Sequence, residues 1–314
     1  MRGSFVVVIA MLAGCVQLGV VSDGTSISVG KPSKGRIVDG VRLPDRGEGF
    51  LTREMWKERG NRYGTDELVD LLTGVSRRVA PKNGGIRLVI ADLSGRGGGA
   101  SHQWHRSHQN GRDVDLLYYV RDNTGKPVEN DAMHVFRADL VAADGSGLRV
   151  DIPRLWNLVR ELLTAPEAPV QWLFMYQPIA NALIEHAVKI GEPERLVERA
   201  RKACKQPGDS APHHDHIHVR VFCSPSDRAF GCTDIGPMEL LTEREADFAN
   251  QQASVASSIQ NRPATFTEVA VAQMTPAPAA SALSTAASAS SRDLRPIQRL
   301  LRTGAYRVDL WRWR

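Results

Sequence analysis

Histidine is concentrated in two short segments of the chain. Of the nine histidines in 314 residues, most fall within 102–108 or 213–218. The members of the two clusters are His102, His105 and His108, followed by His213, His214, His216 and His218. Neutral imidazoles are good metal ligands, and burying several without a metal would leave polar groups in need of partners. Packing alone does not explain two such clusters, so they point to a metal site.

Carboxylates accompany the first cluster, and strand alternation determines where they point. Asp113 and Asp115 lie in the segment DVDLLYYV, which predicts a strand. Residues two apart share a face of a strand, so both carboxylates point the same way. In HIHVRV the same rule puts His216, His218 and Arg220 on one face and the apolar residues on the other. The apolar face would pack on the core and leave the histidine face to line a cleft.

His108, Asp115 and His218 could therefore meet at one metal ion, the first from a loop and the others from two strands. Two histidines and one carboxylate leave a fourth position for water, which is typical of a catalytic zinc site rather than a closed structural one. Zinc lowers the pKa of its water and polarises a scissile carbonyl. His216 shares the face of His218 and is placed to move a proton.

The elements that must position these residues are mixed along the chain. Helical spacing over 65–75 begins at Thr65, a good N-cap that two acidic residues follow. Further helices are predicted at 153–163, 179–188 and 194–203, and strands at 86–92, 113–120, 170–176 and 216–222. Strands and helices do not alternate as regular βαβ units, which predicts an α+β fold.

The start of the chain predicts export. One arginine, the apolar run FVVVIAML and small residues before Cys15 are typical of a bacterial lipoprotein signal. We interpret residues 1–15 as this signal, with lipidation at Cys15, in preference to an ordinary signal peptide with an incidental cysteine. A cysteine lipidated in this way carries more than one acyl chain, which gives stable anchoring. Residues 16–35 are rich in glycine and serine and predict a tether.

The rest of the chain divides by composition. A folded domain is predicted over 36–245, followed over 246–292 by a low-complexity linker that cannot bury a core and is expected to be disordered. Residues 293–314 form a basic segment with aromatic residues. This segment could bind an anionic surface, pack against the rest of the chain, or be a frayed tail. The formal net charge of +5 suits an anionic partner, whether nucleic acid, membrane or cell wall, without choosing among them.

Cysteine usage agrees with export. After Cys15 the chain contains only Cys204, Cys223 and Cys232. The last two are close in a loop with proline and glycine, and an oxidising periplasm would let them form a disulfide. Cys204 would then be unpaired. The sequence has no CxxC pair, so a thiolate zinc site is not predicted.

Two blocks carry a family resemblance, SHQNGRDVDL at 107–116 and HHDHIHVR at 213–220. They resemble the penicillin-insensitive murein endopeptidases, within the wider group of lysostaphin-like, D-Ala-D-Ala metallopeptidases. The resemblance extends over residues 28–235. It implies a small antiparallel sheet with flanking helices.

By position, the resemblance implies zinc ligands at His108, Asp115 and His218. It gives His216 and His213 catalytic roles, and makes His105 a candidate further ligand. Asp144 matches a family aspartate and is another candidate ligand, but glycine stands at 147 where the family has a histidine. That glycine argues against a second metal site.

The resemblance also implies a function. A zinc-bound hydroxide would attack the D-alanyl–meso-diaminopimelyl amide that cross-links peptidoglycan stem peptides. The expected partners are those peptides and an outer-membrane lipid anchor in the periplasm, with no nucleic acid; the oligomeric state stays open. The alternatives are a D,D- or L,D-carboxypeptidase of the same group and a non-enzymatic cell-wall-binding lipoprotein.

Overall fold

The computed structural model of the chain describes residues 26–100, 105–208 and 210–246. Its helices are α1 (Glu54–Glu58), α2 (Asp66–Lys82), α3 (Ile152–Thr164), α4 (Gln177–Lys189), α5 (Glu194–Ala203) and α6 (Pro225–Ala229). Its strands are β1 (Ile27–Lys31), β2 (Lys34–Val38), β3 (Val41–Arg42), β4 (Arg46–Gly47), β5 (Phe50–Leu51), β6 (Tyr63–Gly64), β7 (Leu88–Val89), β8 (Asp113–Leu117), β9 (Val120–Arg121), β10 (Pro127–Val128), β11 (Arg149–Val150), β12 (Val170–Phe174), β13 (Cys204–Lys205) and β14 (His216–Val221). Residues 239–246 are also helical.

The largest sheet has four strands in the order β13-β12-β14-β8. Strand β14 is antiparallel to both of its neighbours, and β12 runs parallel to β13. Smaller sheets pair β1 with β2, β3 with β6, β4 with β5 and β7, and β9 with β10 and β11. Helices flank the sheets, so the predicted α+β class is confirmed.

Local chemistry explains where the main helices begin. Helix α2 starts after Thr65, whose hydroxyl accepts a hydrogen bond from the backbone N–H of Leu68, as predicted for an N-cap. Helix α3 starts after Asp151, whose carboxylate caps the backbone N–H of Arg154. The predicted strand over 86–92 is shorter, because only β7 forms a ladder there and Ile90 adds a single bridge to β8.

The core forms on the side of the large sheet opposite the histidines. Ile217, Val219 and Val221 of β14 are buried among apolar side chains from helices α2, α3, α4 and α5. These three residues alternate with His216, His218 and Arg220, which confirms the predicted division of this strand into an apolar face and a polar face. A smaller cluster around the buried Trp56 packs beneath strands β5, β7 and β8.

A hairpin occupies part of the segment predicted to be a tether. Strands β1 and β2 pair from Ile27–Val38 to Lys31–Lys34, and Ser28 is fully buried. The tether prediction is therefore wrong for residues 26–35. Backbone pairing across a hairpin and burial at its base compensate for the low apolar content that had suggested an unfolded segment.

This hairpin supports the loop that carries the first histidine cluster. The backbone N–H of Gln109 donates to the carbonyl oxygen of Pro32 at 3.0 Å. The Asn110 side-chain amide donates to the carbonyl oxygen of Gly30 at 3.2 Å. The N–H of Gly30 in turn donates to the carbonyl oxygen of Gly231 at 3.1 Å. The hairpin thus joins the histidine loop to the loop around α6.

Cys223 and Cys232 form a disulfide in the structure. It closes the loop that contains α6, against which the hairpin docks. Cys204 is free and buried, and burial raises the pKa of its thiol to about 12. A buried thiol with a raised pKa is chemically inert.

We expect the double variant Cys223→Ser/Cys232→Ser to have a free energy of unfolding about 2–3 kcal/mol lower than the unchanged chain, because the cross-link restricts a loop of about ten residues in the unfolded chain. Equilibrium urea unfolding under non-reducing conditions measures this difference. Adding reductant should lower the stability of the unchanged chain to that of the variant. Equal unfolding midpoints for the oxidised chain and the variant would contradict the expectation.

Several sequence expectations fall outside the described residues. They concern the signal and Cys15, the tether over 16–25, His102, and the linker and basic segment beyond 246. Within the described ranges, none of the helices has the length and apolar character needed to cross a membrane.

Candidate metal centre

Two neighbouring strands place Asp115 beside His218. The residues are paired in the register of β8 and β14, and both are buried. Their side chains lie on the sheet face opposite the core, as alternation along each strand requires. Atom Nδ1 of His218 lies 3.2 Å from Oδ1 of Asp115.

A constrained loop brings His108 to the same point. Its backbone has a left-handed φ of 63°, a conformation uncommon in residues other than glycine, although asparagine, aspartate and histidine adopt it more often than most. The His108 N–H donates to Oδ2 of Asp113 at 2.9 Å, and its Nδ1 lies 3.1 Å from the carbonyl oxygen of Leu93. A ring that donates from Nδ1 to Leu93 leaves the lone pair of Nε2 for a metal.

The three predicted ligand atoms form a nearly equilateral triangle. His108 Nε2 lies 3.2 Å from His218 Nδ1 and 3.3 Å from Asp115 Oδ1. The third side, from His218 Nδ1 to Asp115 Oδ1, is 3.2 Å. Tetrahedral zinc with ligands about 2.0–2.1 Å away separates those ligands by about 3.3–3.4 Å. The triangle therefore has nearly the size that such an ion requires.

The Asp115 carboxylate is buried among imidazole rings. Its Oδ1 lies 3.2–3.4 Å from nitrogens of His108, His216 and His218, and the residue is fully buried. A buried charge is costly unless it is paired or coordinates a metal. Two sets of ligand atoms converge at this site and could hold a metal ion: those of His105, His108 and Asp115, and those of His213, His216 and His218.

The electrostatics of the site also favour a cation. Burial raises the pKa of Asp115, but the interactions with the neighbouring His108 and His216 rings outweigh burial and hold that pKa well below its usual range. Burial lowers the pKa of His216, while the Asp115 and Asp215 carboxylates raise it to about 10. A divalent cation held by these side chains would offset the buried negative charge of Asp115.

Other side chains orient the histidines of β14. Nδ1 of His216 lies 2.7 Å from Oδ1 of Asp215, and its Nε2 lies 3.4 Å from Oδ1 of Asp115. Asp113 faces Nε2 of His218 at 3.4 Å and accepts two hydrogen bonds from Arg220. These contacts fix which nitrogen of each ring faces the cluster.

His105 and His213 border the same site. Nδ1 of His105 lies 3.7 Å from Oδ2 of Asp115, and its Nε2 lies 2.9 Å from Oδ2 of Asp92. The His213 ring lies 5.0 Å from the His216 ring and 5.5 Å from that of His218. Burial and those two neighbouring histidines lower the pKa of His213 to about 4, so it is neutral at pH 7.

Asp144 is not brought to this group. Its side chain is 44% exposed and is bonded to His134 and to the backbone N–H of Ser146. His134 also contacts Asp131 through its other ring nitrogen, at 2.9 Å. Among the described residues, these three side chains are not part of the groups whose ligand atoms converge.

Sequence reasoning missed two of the orienting carboxylates. Asp92 is fully buried and also accepts a hydrogen bond from Arg59 at 2.7 Å. An aspartate that ends a buried apolar strand could have signalled this role. Asp215 stands inside the second histidine cluster, but its bond to His216 depends on side-chain rotation that alternation along a strand does not determine.

Comparison with known proteins identifies relatives of the whole folded region. A model of the family described as penicillin-insensitive murein endopeptidase matches residues 28–277. A protein of that name from Haemophilus influenzae is 28% identical over 221 residues, which covers 69% of this chain and 70% of that protein. The one from Klebsiella pneumoniae is 26% identical over 251 residues, or 76% of this chain and 83% of that protein. The one from Escherichia coli O1:K1 is 27% identical over 216 residues, with coverages of 67% and 71%.

Proposed function

The chain belongs to the penicillin-insensitive murein endopeptidase family, and from this membership we propose that it is a zinc-dependent enzyme that cleaves peptidoglycan cross-links. The bond cleaved is the D-alanyl–meso-diaminopimelyl amide between stem peptides. The observation that carries the proposal is the triangle of His108 Nε2, Asp115 Oδ1 and His218 Nδ1, with sides of 3.2–3.3 Å. A peptidase in which a metal activates water needs no serine or cysteine nucleophile.

The three side chains of the triangle would hold the zinc ion. When bound, zinc would lower the pKa of a water molecule and polarise the scissile carbonyl. The chain's own residues prepare the site for this role. Asp115 supplies the negative charge, Leu93 directs His108 Nε2 inward, and Asp113 holds His218 with Nδ1 toward the cluster.

His216 and His213 would take part in proton transfer or in stabilising charge during cleavage. His216 has Nδ1 bonded to Asp215 and Nε2 directed at the cluster, so in its charged form it can stabilise negative charge on the carbonyl oxygen or protonate the leaving amine. His213 stays neutral because its pKa is lowered to about 4, so a ring nitrogen can accept a hydrogen bond from the substrate. His105, held by Asp92, borders the metal as a candidate further ligand or support.

Location and attachment follow from the same proposal. An enzyme that cuts peptidoglycan cross-links acts in the periplasm, and a lipid on Cys15 would anchor it at the outer membrane. The tether would then span residues 16–25 before the hairpin begins. The basic segment over 293–314 offers a contact with an anionic surface.

The products of digestion test the bond assignment. Incubation with purified cross-linked muropeptide dimers should give two uncross-linked monomers, as measured by chromatography and mass spectrometry. Monomers with a pentapeptide stem should remain unchanged. Removal of terminal D-alanine from those monomers, with the dimers left intact, would instead indicate the carboxypeptidase of the same group.

A cell-wall-binding lipoprotein without activity is the remaining alternative. Each of the three proposed ligand positions carries a histidine or aspartate able to bind zinc, which favours an enzyme. Protein that binds no metal after purification, and hydrolyses no dimer when zinc is added, would favour the binding protein.

A further inference from the structure

The polar face of the large sheet continues beyond the metal cluster. Phe174 of β12 is paired with His218, and Lys205 of β13 is paired with Phe174. With Asp115 on β8, these residues form a row across the four strands. Neighbouring strands lie about 4.8 Å apart, so the Lys205 backbone is about 10 Å from that of His218.

Two aromatic rings form a shelf on this face. The Phe174 ring belongs to the row, and the Trp172 ring lies beside it. Trp172 and Phe174 are stacked with ring centres 5.2 Å apart, and both are only half-buried. The Phe174 ring lies 5.7 Å from the ring of His218. Rings left partly exposed beside polar groups are typical of ligand sites.

The loop at 235–236 holds the Trp172 ring of the shelf in place. The indole Nε1–H of Trp172 donates to the carbonyl oxygen of Ile235 at 3.1 Å. Gly236 packs so closely on the indole that a Cβ there would lie 2.5 Å from Nε1. The loop at 235–236 thus fixes one orientation of Trp172. A fixed ring loses little entropy when a ligand covers it.

Lys205 supplies a positive charge at the end of the shelf. Its ammonium nitrogen lies 5.9 Å from the centre of the Trp172 ring, and the residue is exposed. Over the described ranges it has no carboxylate within ion-pair distance. Arg220, the cation beside Phe174 on this face, is instead bound by both oxygens of Asp113. Lys205 is therefore the cation of this face that stays available to an anion.

We propose that Trp172, Phe174 and Lys205 form the subsite that holds the stem peptide on one side of the scissile bond. The aliphatic part of the peptide covers the rings, and a free carboxylate binds the Lys205 ammonium. An extended peptide advances about 3.3–3.6 Å per residue, so a carboxylate two or three residues from the scissile bond reaches Lys205. The inference rests on the proposed function and specifies which part of the substrate the chain recognises.

Binding of an uncleavable fragment tests the subsite without requiring activity. The probe is the tetrapeptide L-Ala-γ-D-Glu-meso-diaminopimelyl-D-Ala, titrated calorimetrically into the unchanged full chain. Two further peptides carry an amide in place of the free α-carboxylate of the γ-linked D-Glu or of the free diaminopimelyl carboxylate, the two carboxylates that lie two or three residues from the scissile bond. One of these amides should bind about tenfold more weakly than the free peptide, because it removes a charge-assisted hydrogen bond.

The Lys205→Ala variant should bind the free peptide about tenfold more weakly and should no longer distinguish it from that amide. Lys126→Ala, which changes an exposed lysine in the turn between β9 and β10, should behave like the unchanged chain. Trp172→Leu should weaken binding of all three peptides alike. Persistent discrimination by Lys205→Ala, or equal binding of the three peptides by the unchanged chain, would overturn the subsite. Cleavage of muropeptide dimers would remain a separate measurement, so the two proposals can fail independently.

Discussion

The His108→Asn variant is expected to bind no zinc and to lose cleavage of muropeptide dimers together. Removing one of the two imidazole ligands opens the ligand triangle, of which the 3.3 Å contact between His108 Nε2 and Asp115 Oδ1 is one side. Metal-ion catalysis supplies several kcal/mol, and each 1.36 kcal/mol is tenfold in rate, so the loss should be about a thousandfold or more. Zinc content by atomic absorption and initial rates on dimers measure the two effects.

Asparagine is the better replacement at this position because of the backbone. His108 has a φ of 63°, and asparagine tolerates the left-handed region more readily than alanine. Loss of the fold can thus be separated from loss of the metal, with thermal unfolding of the zinc-free forms as the check. The control is His186→Ala, which alters a histidine of α4 outside the cluster and should keep zinc and activity. Full activity of His108→Asn would contradict its role as a ligand.

The His216→Ala variant is expected to keep zinc but to lose turnover. His216 Nε2 lies 3.4 Å from Asp115 Oδ1, but the triangle of ligand atoms does not include it. Loss of a positioned acid or base typically costs about 10²- to 10⁴-fold, so kcat should fall by about that amount while KM changes little. Steady-state kinetics and zinc content of the same preparation measure the difference.

Asp215 provides the matched control for His216. Its carboxylate holds Nδ1 of His216 at 2.7 Å, and losing such an orienting partner typically costs about 10- to 100-fold. Asp215→Asn should therefore fall between the unchanged chain and His216→Ala in kcat. If His216→Ala loses zinc as completely as His108→Asn does, then His216 acts as a ligand and the assigned role is wrong.

The alternation of side chains along each strand predicted which residues face the site. It did not predict which strands lie next to one another. The parity of HIHVRV and DVDLLYYV correctly separated polar from apolar residues, because a two-residue period is a local property. The pairing of β14 with β12 joins residues about fifty apart in sequence, and no local pattern determines it. The aromatic shelf of Trp172 and Phe174 was therefore not foreseen.

The hairpin at 26–38 shows a second limit of prediction from sequence, namely that composition does not reveal contacts with distant segments. Its glycines and serines suggested a tether, since composition measures how much apolar surface a segment can bury on its own. The hairpin instead gains its stability from backbone pairing and from docking against Asn110 and Gly231. Those partners are distant in sequence, so composition alone could not reveal them.

Digestion of intact sacculi with and without a chelator is the most direct test of zinc-dependent cross-link cleavage. The full chain should convert cross-linked muropeptides to monomers, stop when a chelator removes the metal, and resume when zinc is restored. The His108→Asn variant should remain inactive after zinc is added. Undiminished cleavage by protein shown to be free of metal would contradict the account, as would the absence of monomer products from zinc-loaded protein.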